Sequence, residues 1–401
     1  MRFLLLNQCF YPDVVSTAQH LTDLATELAA RGHEVTVLTS DRGYDDPGKR
    51  FPRRECWNDI TIIRIPSLSL GKNSKWRRAL TFGSFLAICS GRLLTLKRFD
   101  VVVALTSPPL ISLLATLFVK LKGGRFCFWV MDLNPDEAIA AGWLDEHSRV
   151  ALLLKKMLRW SLKHADHTVV LDRFMKERVL AKGVDPDRIA VVPPWSHDDA
   201  VVYSAKGREA FRARYGLADK FVVMYSGNHS PCHPLDTLLR AALELKERDE
   251  IAFCFVGGGS EHAKVREFTA QHGLGNVTCL PYQPLDELSS SLSAADLHVV
   301  VMGEPFVGIV HPCKIYNIMS IGTPVLYIGP EPSHITDLNL SSVRHGDVTG
   351  VVARILEAQP GTRISKSHSF SKHTLLPQMI ELLEAEPKSE PYSFTREVTL
   401  S

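Results

Sequence analysis

The sequence EPFVGIVHPCKIYNIMSIGTP, residues 304–324, carries the pattern from which the fold of this chain can be inferred. It follows an apolar run at 297–301 and precedes a second one at 325–328, and such short apolar runs are typical of buried β-strands. Between the runs lie an acidic residue, a glycine turn and a helix that is predicted to begin near Cys313. Ligands of open α/β sheets bind at the carboxyl ends of strands, and helix N-termini attract anions. The turn is therefore a candidate anion site.

Lys314 lies in the first turn of this predicted helix, where its charge would add to the attraction for a phosphate. The alternative is an ordinary connection between a strand and a helix, with a solvated lysine.

The same alternation of strand and helix extends over the whole chain. A strand at 2–8, a helix at 16–31 and a strand at 34–38 form the β-α-β opening of a doubly wound parallel sheet. Pro193 and Pro194 end the first series of elements, and a second series follows a linker at 197–207. The sequence thus predicts an α/β protein of two doubly wound parallel-sheet domains, 1–195 and 196–375, followed by a helix and a disordered tail at 376–401. Further strands are predicted at 60–65, 101–105, 126–131, 167–171, 189–192, 221–225, 251–256 and 276–280.

Composition narrows the class of protein. The net charge of +2 hides an asymmetry, since residues 1–195 carry 28 lysines and arginines against 20 aspartates and glutamates. The eight cysteines lack the spacing of a metal or disulfide framework, which favours reduced thiols and a cytoplasmic location. The amino-terminal apolar run is interrupted by Asn7 and Gln8, which favours a first strand over a signal peptide.

Three segments of the first domain could meet a lipid bilayer. The uncharged stretch 101–119 is interrupted by a Ser-Pro-Pro sequence, which favours a strand, a turn and a helix; a transmembrane span is the alternative. The predicted helices 74–97 and 148–164 combine leucine-rich and basic positions. They either pack on the sheet with a solvated basic face or dock on an anionic membrane surface.

Acidic residues follow the predicted strand 126–131. Asp132, Asp136 and Glu137 would lie at the ligand edge of the sheet, as candidates for binding a sugar hydroxyl or acting as a general base. Helix capping is the alternative, since Asn134 before Pro135 is a good N-cap and acidic residues favour the first turn. Capping leaves Asp132 unexplained.

Glycine-rich strand ends mark the second domain. Gly227 and Asn228 lie in the loop after the predicted strand 221–225, Gly257 and Gly258 follow the predicted strand 251–256, and Tyr282 follows the predicted strand 276–280. Glycines allow backbone amides to approach a phosphate, and an aromatic ring contacts a base, so a nucleotide is the expected ligand. Around Asn228, His229 and His233 no metal-ligand spacing is found, and no metal or other cofactor is predicted.

Together these motifs resemble the family 4 glycosyltransferases of GT-B fold, and more narrowly their bacterial surface-polysaccharide branch of the colanic-acid and O-antigen type. The similarity covers residues 1 to 385. The segments that carry it are RGHEVTVLT (31–39), YSGN (225–228), FVGGG (255–259), LPYQP (280–284) and GTPVL (322–326).

The resemblance implies two domains that face a crevice and a metal-independent transferase that uses a nucleotide-diphosphate sugar, a UDP-sugar in particular, with retention. The acceptor would be a glycan or a polyprenyl-diphosphate-linked sugar, bound by the basic first domain. No nucleic acid partner is expected, and the protein would be cytoplasmic or peripheral on the inner face of the membrane. The implied catalytic residues are Asp132, Glu304 and Lys314, the acceptor-binding residues Ser16 and Asp136, and the donor-binding residues Gly227, Asn228, His229, Gly257, Gly258, Tyr282, Phe306, Gly308, Ile309, Val310 and Asn317.

The chain departs from the family pattern at three places. Two glutamates eight positions apart are usual, but Asn317 occupies the position of the second, and Glu304 lies thirteen positions before it. The family usually places an arginine and a lysine on the diphosphate. In this chain Asn228 and His233 stand near those positions, so Lys314 would supply the charge instead. The usual Gly-Gly after the first strand is missing near Ser16.

These departures leave two other hypotheses open. One is an inactive homologue that serves as a subunit of a glycan assembly complex. The other is a UDP-sugar 2-epimerase, which the lone Glu304 argues against because an epimerase needs clustered acid and base groups.

Overall fold

The computed structural model describes residues 1–43, 48–68, 75–365 and 369–385. The chain divides into two compact units, of which the first comprises Met1–Pro193 together with Leu375–Ser401 and the second Pro194–Thr374. The predicted boundary after residue 195 lies two residues further on. The predicted disordered tail falls mostly outside the described residues.

The first unit contains, within the described ranges, a sheet of eight strands in the order β3-β4-β2-β1-β5-β6-β7-β8. All pairings are parallel except that of β3 with β4. The strands are β1 (Arg2–Leu6), β2 (Glu34–Ser40), β3 (Arg54–Trp57), β4 (Ile60–Ile65), β5 (Val101–Ala104), β6 (Arg125–Trp129), β7 (His167–Val170) and β8 (Ile189–Val191). The helices are α1 (Ser16–Ala30), α2 (Lys75–Thr95), α3 (Ile111–Lys122), α4 (Asp136–Ala140), α5 (Arg149–His164) and α6 (Arg173–Ala181).

Central strands of this sheet are buried on both faces, as parallel strands covered by helices must be. Leu4 lies beside Thr36 on one neighbour and Val102 on the other, and β5 is buried at all four positions. The predicted strands are thus confirmed. The edge strand β3 was not predicted, because its sequence RECW alternates between exposed and half-buried positions and lacks an apolar run.

The uncharged stretch at 101–119 forms a strand, β5, a turn and the helix α3, as predicted. Among the helices of the described residues, none has both the length and the apolar character needed to cross a membrane.

The second unit contains six described strands, all parallel, in the order β11-β10-β9-β12-β13-β14. The strands are β9 (Phe221–Asn228), β10 (Ile251–Gly258), β11 (Val277–Leu280), β12 (Leu297–Val301), β13 (Val325–Ile328) and β14 (Ser341–Val343). The helices are α7 (Ala205–Arg214), α8 (Asp236–Glu244), α9 (His262–His272), α10 (Leu288–Ser293), α11 (Lys314–Ile321) and α12 (Val348–Glu357). The fold class predicted from sequence, two doubly wound parallel-sheet domains, is confirmed.

The last helix, α13 (Lys372–Glu384), buries six apolar side chains and is tied to the first unit. Glu384 Oε1 lies 2.8 Å from His33 Nε2 and its other carboxylate oxygen 3.7 Å from Arg31 Nη1. Arg125 donates to the carbonyl oxygens of Leu383, at 3.2 Å, and of Ala385. The carboxyl-terminal helix is therefore part of the first unit.

Strands β9 and β10 are longer than predicted. They continue into the glycines that the sequence had assigned to loops, so that Gly227 lies beside Gly257 and Asn228 beside Gly258. Gly257 has φ +131°, and a Cβ atom there would overlap the carbonyl oxygen of Gly227. Close pairing of two backbones therefore requires glycine at this position.

We predict that Gly257→Ala lowers the free energy of unfolding by about 2–4 kcal/mol, because alanine at this φ is strained and its methyl group overlaps a carbonyl oxygen. Urea denaturation measures the change. Gly275→Ala is the matched control, since a Cβ there meets no atom within 4 Å. An equal, small effect of both substitutions would contradict the packing argument.

Candidate functional site

Lys314 is the first residue of α11, and its side chain lies against the backbone of β9. A Cβ atom on Gly227 would lie 2.7 Å from Lys314 Nζ, so the glycine leaves the space that the lysine occupies. The Nζ atom lies 3.9 Å from the centroid of the Tyr225 ring. It is buried and has no hydrogen-bond partner among the described residues. The site thus holds a buried ammonium group that lacks a counter-ion in the described part of the chain.

Burial lowers the pKa of Lys314 to about 7. Two histidines nearby stay neutral at neutral pH, because burial and then the charge of Lys314 lower the pKa of His229 to about 4 and of His233 to about 3. His229 donates through Nδ1 to the carbonyl oxygen of Gly227 at 3.0 Å, and His233 through Nδ1 to that of Val301 at 2.7 Å. No carboxylate is among the groups that shift the pKa values of Lys314, His229 and His233. An anion placed here would balance the positive charge of Lys314.

The ends of β9 and β10 and the segment after β11 bring most of the predicted donor-binding residues together. Asn228 is exposed at the end of β9, and Tyr225 donates its hydroxyl to the Asn228 carbonyl oxygen at 2.7 Å. Tyr282 is 51% exposed and donates to the carbonyl oxygen of Gly258 at 3.2 Å. A half-exposed aromatic ring therefore lies beside the glycines.

The turn after β12 differs from the arrangement that the family resemblance implied. The amides of Ile309 and Val310 donate to the Phe306 carbonyl oxygen at 2.9 and 3.1 Å, so they are not available to a phosphate. Phe306 and Ile309 are both 3% exposed and serve the core. The turn uses both amides internally in this conformation, and the donor-binding role of Ile309 and Val310 stays a prediction. Gly308, at φ +69°, makes the turn possible.

Two further predicted residues of the second unit occupy different environments. Glu304 begins a short 3₁₀ segment, Glu304–Phe306, and is exposed. Its role toward a donor sugar stays a prediction. Asn317 accepts a hydrogen bond at Oδ1 from the backbone amide of His197 at 2.9 Å, so it anchors the segment that precedes α7.

In the first unit, Asp132 follows β6 and lines a cavity together with Thr106, Ser112 and Asn134. The free space there is about 10 Å³, enough for a single water molecule. Burial raises the pKa of the Asp132 carboxyl well above its usual range, and the neighbouring Glu137 carboxylate raises it further. Asp132 is thus positioned to hold a proton at neutral pH.

Of the helix-capping alternative, the N-cap role of Asn134 is wrong, whereas Asp136 and Glu137 do lie in the first turn of α4. Helix α4 begins at Asp136 without a side-chain cap, and Asn134 instead donates its amide to Glu137 Oε2 at 3.1 Å. Helix α1 begins at Ser16 after Val15, also without a capping bond. Ser16 is exposed, and its predicted acceptor-binding role stays a prediction.

Asp136, the other predicted acceptor-binding residue, forms an ion pair with Lys182 across 2.6 Å. The second carboxylate oxygen of Asp136 is buried without a partner among the described residues. The ion pair explains one oxygen, and the acceptor-binding role of Asp136 stays a prediction.

Sequence reasoning missed His262 and the aromatic face of Tyr225. The His262 ring lies edge-on to His229, with centroids 4.9 Å apart, and its Nε2 atom is buried. His262 is the first residue of α9, and no sequence motif singles it out.

Comparisons with known proteins place this geometry in a family. The family profile described as "Glycosyl transferase 4-like domain" matches residues 17–195, and the profile described as "Glycosyl transferases group 1" matches residues 207–333. A curated relative from Escherichia coli K12, "Putative colanic acid biosynthesis glycosyl transferase WcaI", is 27% identical over 339 residues, which cover 80% of this chain and 82% of the relative.

Solved structures agree with the fold. Sucrose-phosphate synthase from Thermosynechococcus elongatus has a TM-score of 0.73 at 17% identity, covering 95% of this chain and 98% of that chain. Anabaena HepE in complex with UDP and glucose has a TM-score of 0.69 at 16% identity, covering 96% and 99%. Likeness at this identity concerns the fold, which is GT-B. From the two profiles, which between them match most of the residues, it follows that the chain belongs to the glycosyltransferases of family 4 and is an enzyme of that class.

Proposed function

We propose that this glycosyltransferase takes a sugar from a UDP-sugar, with retention of anomeric configuration, and transfers it to a glycan or lipid-linked acceptor in the synthesis of a surface polysaccharide. The observation that carries the proposal is the buried ammonium of Lys314 beside the paired glycines of β9 and β10. A diphosphate supplies the negative counter-charge that this lysine lacks. The name of the Escherichia coli relative supports the polysaccharide, and the UDP bound in the Anabaena structure supports the nucleotide.

The chemistry assigned to the site is electrostatic. Negative charge develops on the leaving diphosphate as the bond to the sugar breaks, and a preorganised cation stabilises that charge. Lys314 is assigned this role, since α11 and Tyr225 hold its side chain beside the ends of β9 and β10. Because a lysine fills this role, the proposal includes no metal or other cofactor. Tyr282 is assigned to the base and Glu304 to the donor sugar.

Lys314 can be tested by thermal shift. We predict that UDP at about 100 times its Kd raises the stability of the protein by about 2.7 kcal/mol, seen as a rise in Tm of a few degrees. Lys314→Ala should abolish the rise, because the diphosphate loses its counter-ion. Lys246→Ala, which removes an exposed lysine paired with Glu247, should retain it.

An absence of stabilisation by UDP, GDP or ADP in the unmodified protein would contradict the proposed donor site. It would favour the hypothesis of an inactive subunit. That hypothesis is based on the neutral residues Asn228 and His233, which stand near positions that are cationic in the family.

The pH dependence of UDP binding gives a second test. In the free protein Lys314 loses its proton above a pKa of about 7, whereas a bound diphosphate favours the protonated form and raises that pKa. We therefore predict that UDP affinity falls as pH rises above about 7, by up to tenfold per pH unit, with proton uptake on binding. Calorimetry in buffers of different ionisation enthalpy measures both quantities.

Lys314→Arg is the control for this pH dependence, because arginine stays protonated throughout the range. A variant that binds UDP without the fall in affinity above neutrality would support the assignment. An unchanged fall in Lys314→Arg would show that another group is responsible.

We further propose that Asp132 holds a proton near neutral pH on the acceptor side. Because its pKa in the folded state is raised above about 3.9, its unfolded value, folding stability is lost as pH rises through the window between the two. Asp132→Asn removes this loss. We predict that the Tm of the variant relative to the unmodified protein increases from acid to alkaline pH. Asp187→Asn, at an exposed position, is the control, and parallel Tm profiles of all three proteins would contradict the assignment.

A further inference from the structure

Strand β3 forms one edge of the sheet in the first unit, because it pairs with β4 and with no other described strand. The edge of a sheet exposes backbone N–H and C=O groups, which can pair with an extended segment of another chain. None of the predicted donor-binding or acceptor-binding residues lies on this strand. Its free edge is therefore a candidate surface for a different interaction.

The hydrogen bonds between β3 and β4 show which backbone groups face outward. The Arg64 amide donates to the Arg53 carbonyl oxygen at 2.8 Å, so these two residues form a hydrogen-bonded pair. Hydrogen-bonded and non-hydrogen-bonded pairs alternate along antiparallel strands. Arg54 and Cys56 therefore direct their N–H and C=O groups away from β4. These groups have no partner in the part of the chain that the structure describes.

The surface around this edge is strongly basic. Residues 48–54, with the sequence GKRFPRR, include four basic residues and no acidic one. Arg50, Arg53 and Arg54 are exposed, and none of them forms an ion pair or a side-chain hydrogen bond within the described ranges. The edge thus presents several guanidinium groups that lack a counter-charge among the described residues.

A buried arginine holds the edge in place. The side chain of Arg64 is 1% exposed and pairs with Glu55, the acidic residue of β3, at 3.0 Å. Its guanidinium group also donates to the carbonyl oxygens of Tyr11 at 2.8 Å and Pro52 at 3.2 Å. The Tyr11 ring stacks on Trp57, with centroids 4.0 Å apart. Glu55 is thus neutralised within the unit, and a strand fixed in this way loses little conformational entropy when it binds a partner.

The charge at this edge selects the kind of strand that can be added. A second copy of β3 would place arginine near arginine, and like charges opposite one another destabilise a sheet. Basic residues on an edge strand also oppose pairing with neutral strands. A strand rich in glutamate or aspartate supplies both the backbone partners and the carboxylates that guanidinium groups bind. An acidic strand is therefore the partner that fits.

We propose that the outer edge of β3 binds an acidic, extended segment of a partner protein by strand addition. The backbone groups of Arg54 and Cys56 pair with the added strand. The guanidinium groups of Arg50, Arg53 and Arg54 bind its carboxylates. This interaction is independent of the proposed donor site, since Lys314 and the strand ends beside it belong to the second unit.

The test is fluorescence anisotropy of the full-length protein with a labelled, capped peptide in which glutamate alternates with threonine. We expect binding that weakens as the salt concentration rises, because exposed charges are screened. Arg53→Glu combined with Arg54→Glu should weaken binding on the order of tenfold or more, because two attractions become repulsions. Lys97→Glu combined with Arg149→Glu, at two exposed positions of the same unit, is the matched control and should leave the affinity nearly unchanged.

Two further measurements isolate the backbone pairing. Cys56→Pro removes an outward-facing amide at a sheet edge, where proline is tolerated, and should weaken binding about fivefold through the lost hydrogen bond. Cys56→Ala keeps the amide and should bind as the unmodified protein does. A peptide with N-methyl groups on alternate amides should fail to bind the unmodified protein, and this measurement requires no variant to fold.

Equal losses in the two charge-reversed double variants would show a diffuse attraction between the protein and the peptide and overturn the site. Undiminished binding of the N-methylated peptide would overturn strand addition. Full competition by heparin, with no effect of Cys56→Pro, would show a surface for polyanions in general and overturn it as well. Failure of the acidic peptide to bind at all, while UDP still raises Tm, would overturn this inference and leave the proposed function standing.

Discussion

The close pairing of Gly227 with Gly257 is the constraint on which the candidate donor site depends. A side chain at Gly257 would push β10 away from β9, and a side chain at Gly227 would collide with Lys314. Both glycines thus create space, one for a neighbouring backbone and the other for an ammonium group. The strand ends, the lysine and the two neutral histidines thus lie in one cluster.

The second unit buries charge in two different ways. Asp296 is buried and fully matched, with one oxygen 2.5 Å from Arg208 and the other 2.5 Å from Arg212. Its carboxylate also accepts from the Val222 amide at 2.8 Å. Lys314 is buried with no such partners in the described residues. Burying an unpaired charge disfavours folding, and a matched network removes that cost. The contrast separates a charge that holds α7 to the sheet from a charge that has no such partner among the described residues.

Most of the fold could be predicted from the sequence, because strands buried on both faces appear as short apolar runs that local reasoning detects. Strand β3 was missed because an edge strand needs no such run, and the ends of β9 and β10 were missed because glycine usually marks a loop. Local rules also failed at Asn134, whose amide turns to a glutamate three residues on. Lys314 was found from its place at a helix start. Its contact with Tyr225 depends on tertiary packing, which the sequence does not display.

The attachment of α13 to the first unit has a consequence for the chain as a whole. The polypeptide leaves that unit at Pro193 and returns to it at Leu375, so the second unit is, in topological terms, an insertion. The returning helix, α13, adds six buried apolar side chains to the first unit after the insertion. The first unit therefore cannot be completed during synthesis until α13 has emerged, whereas the continuous second unit can fold earlier.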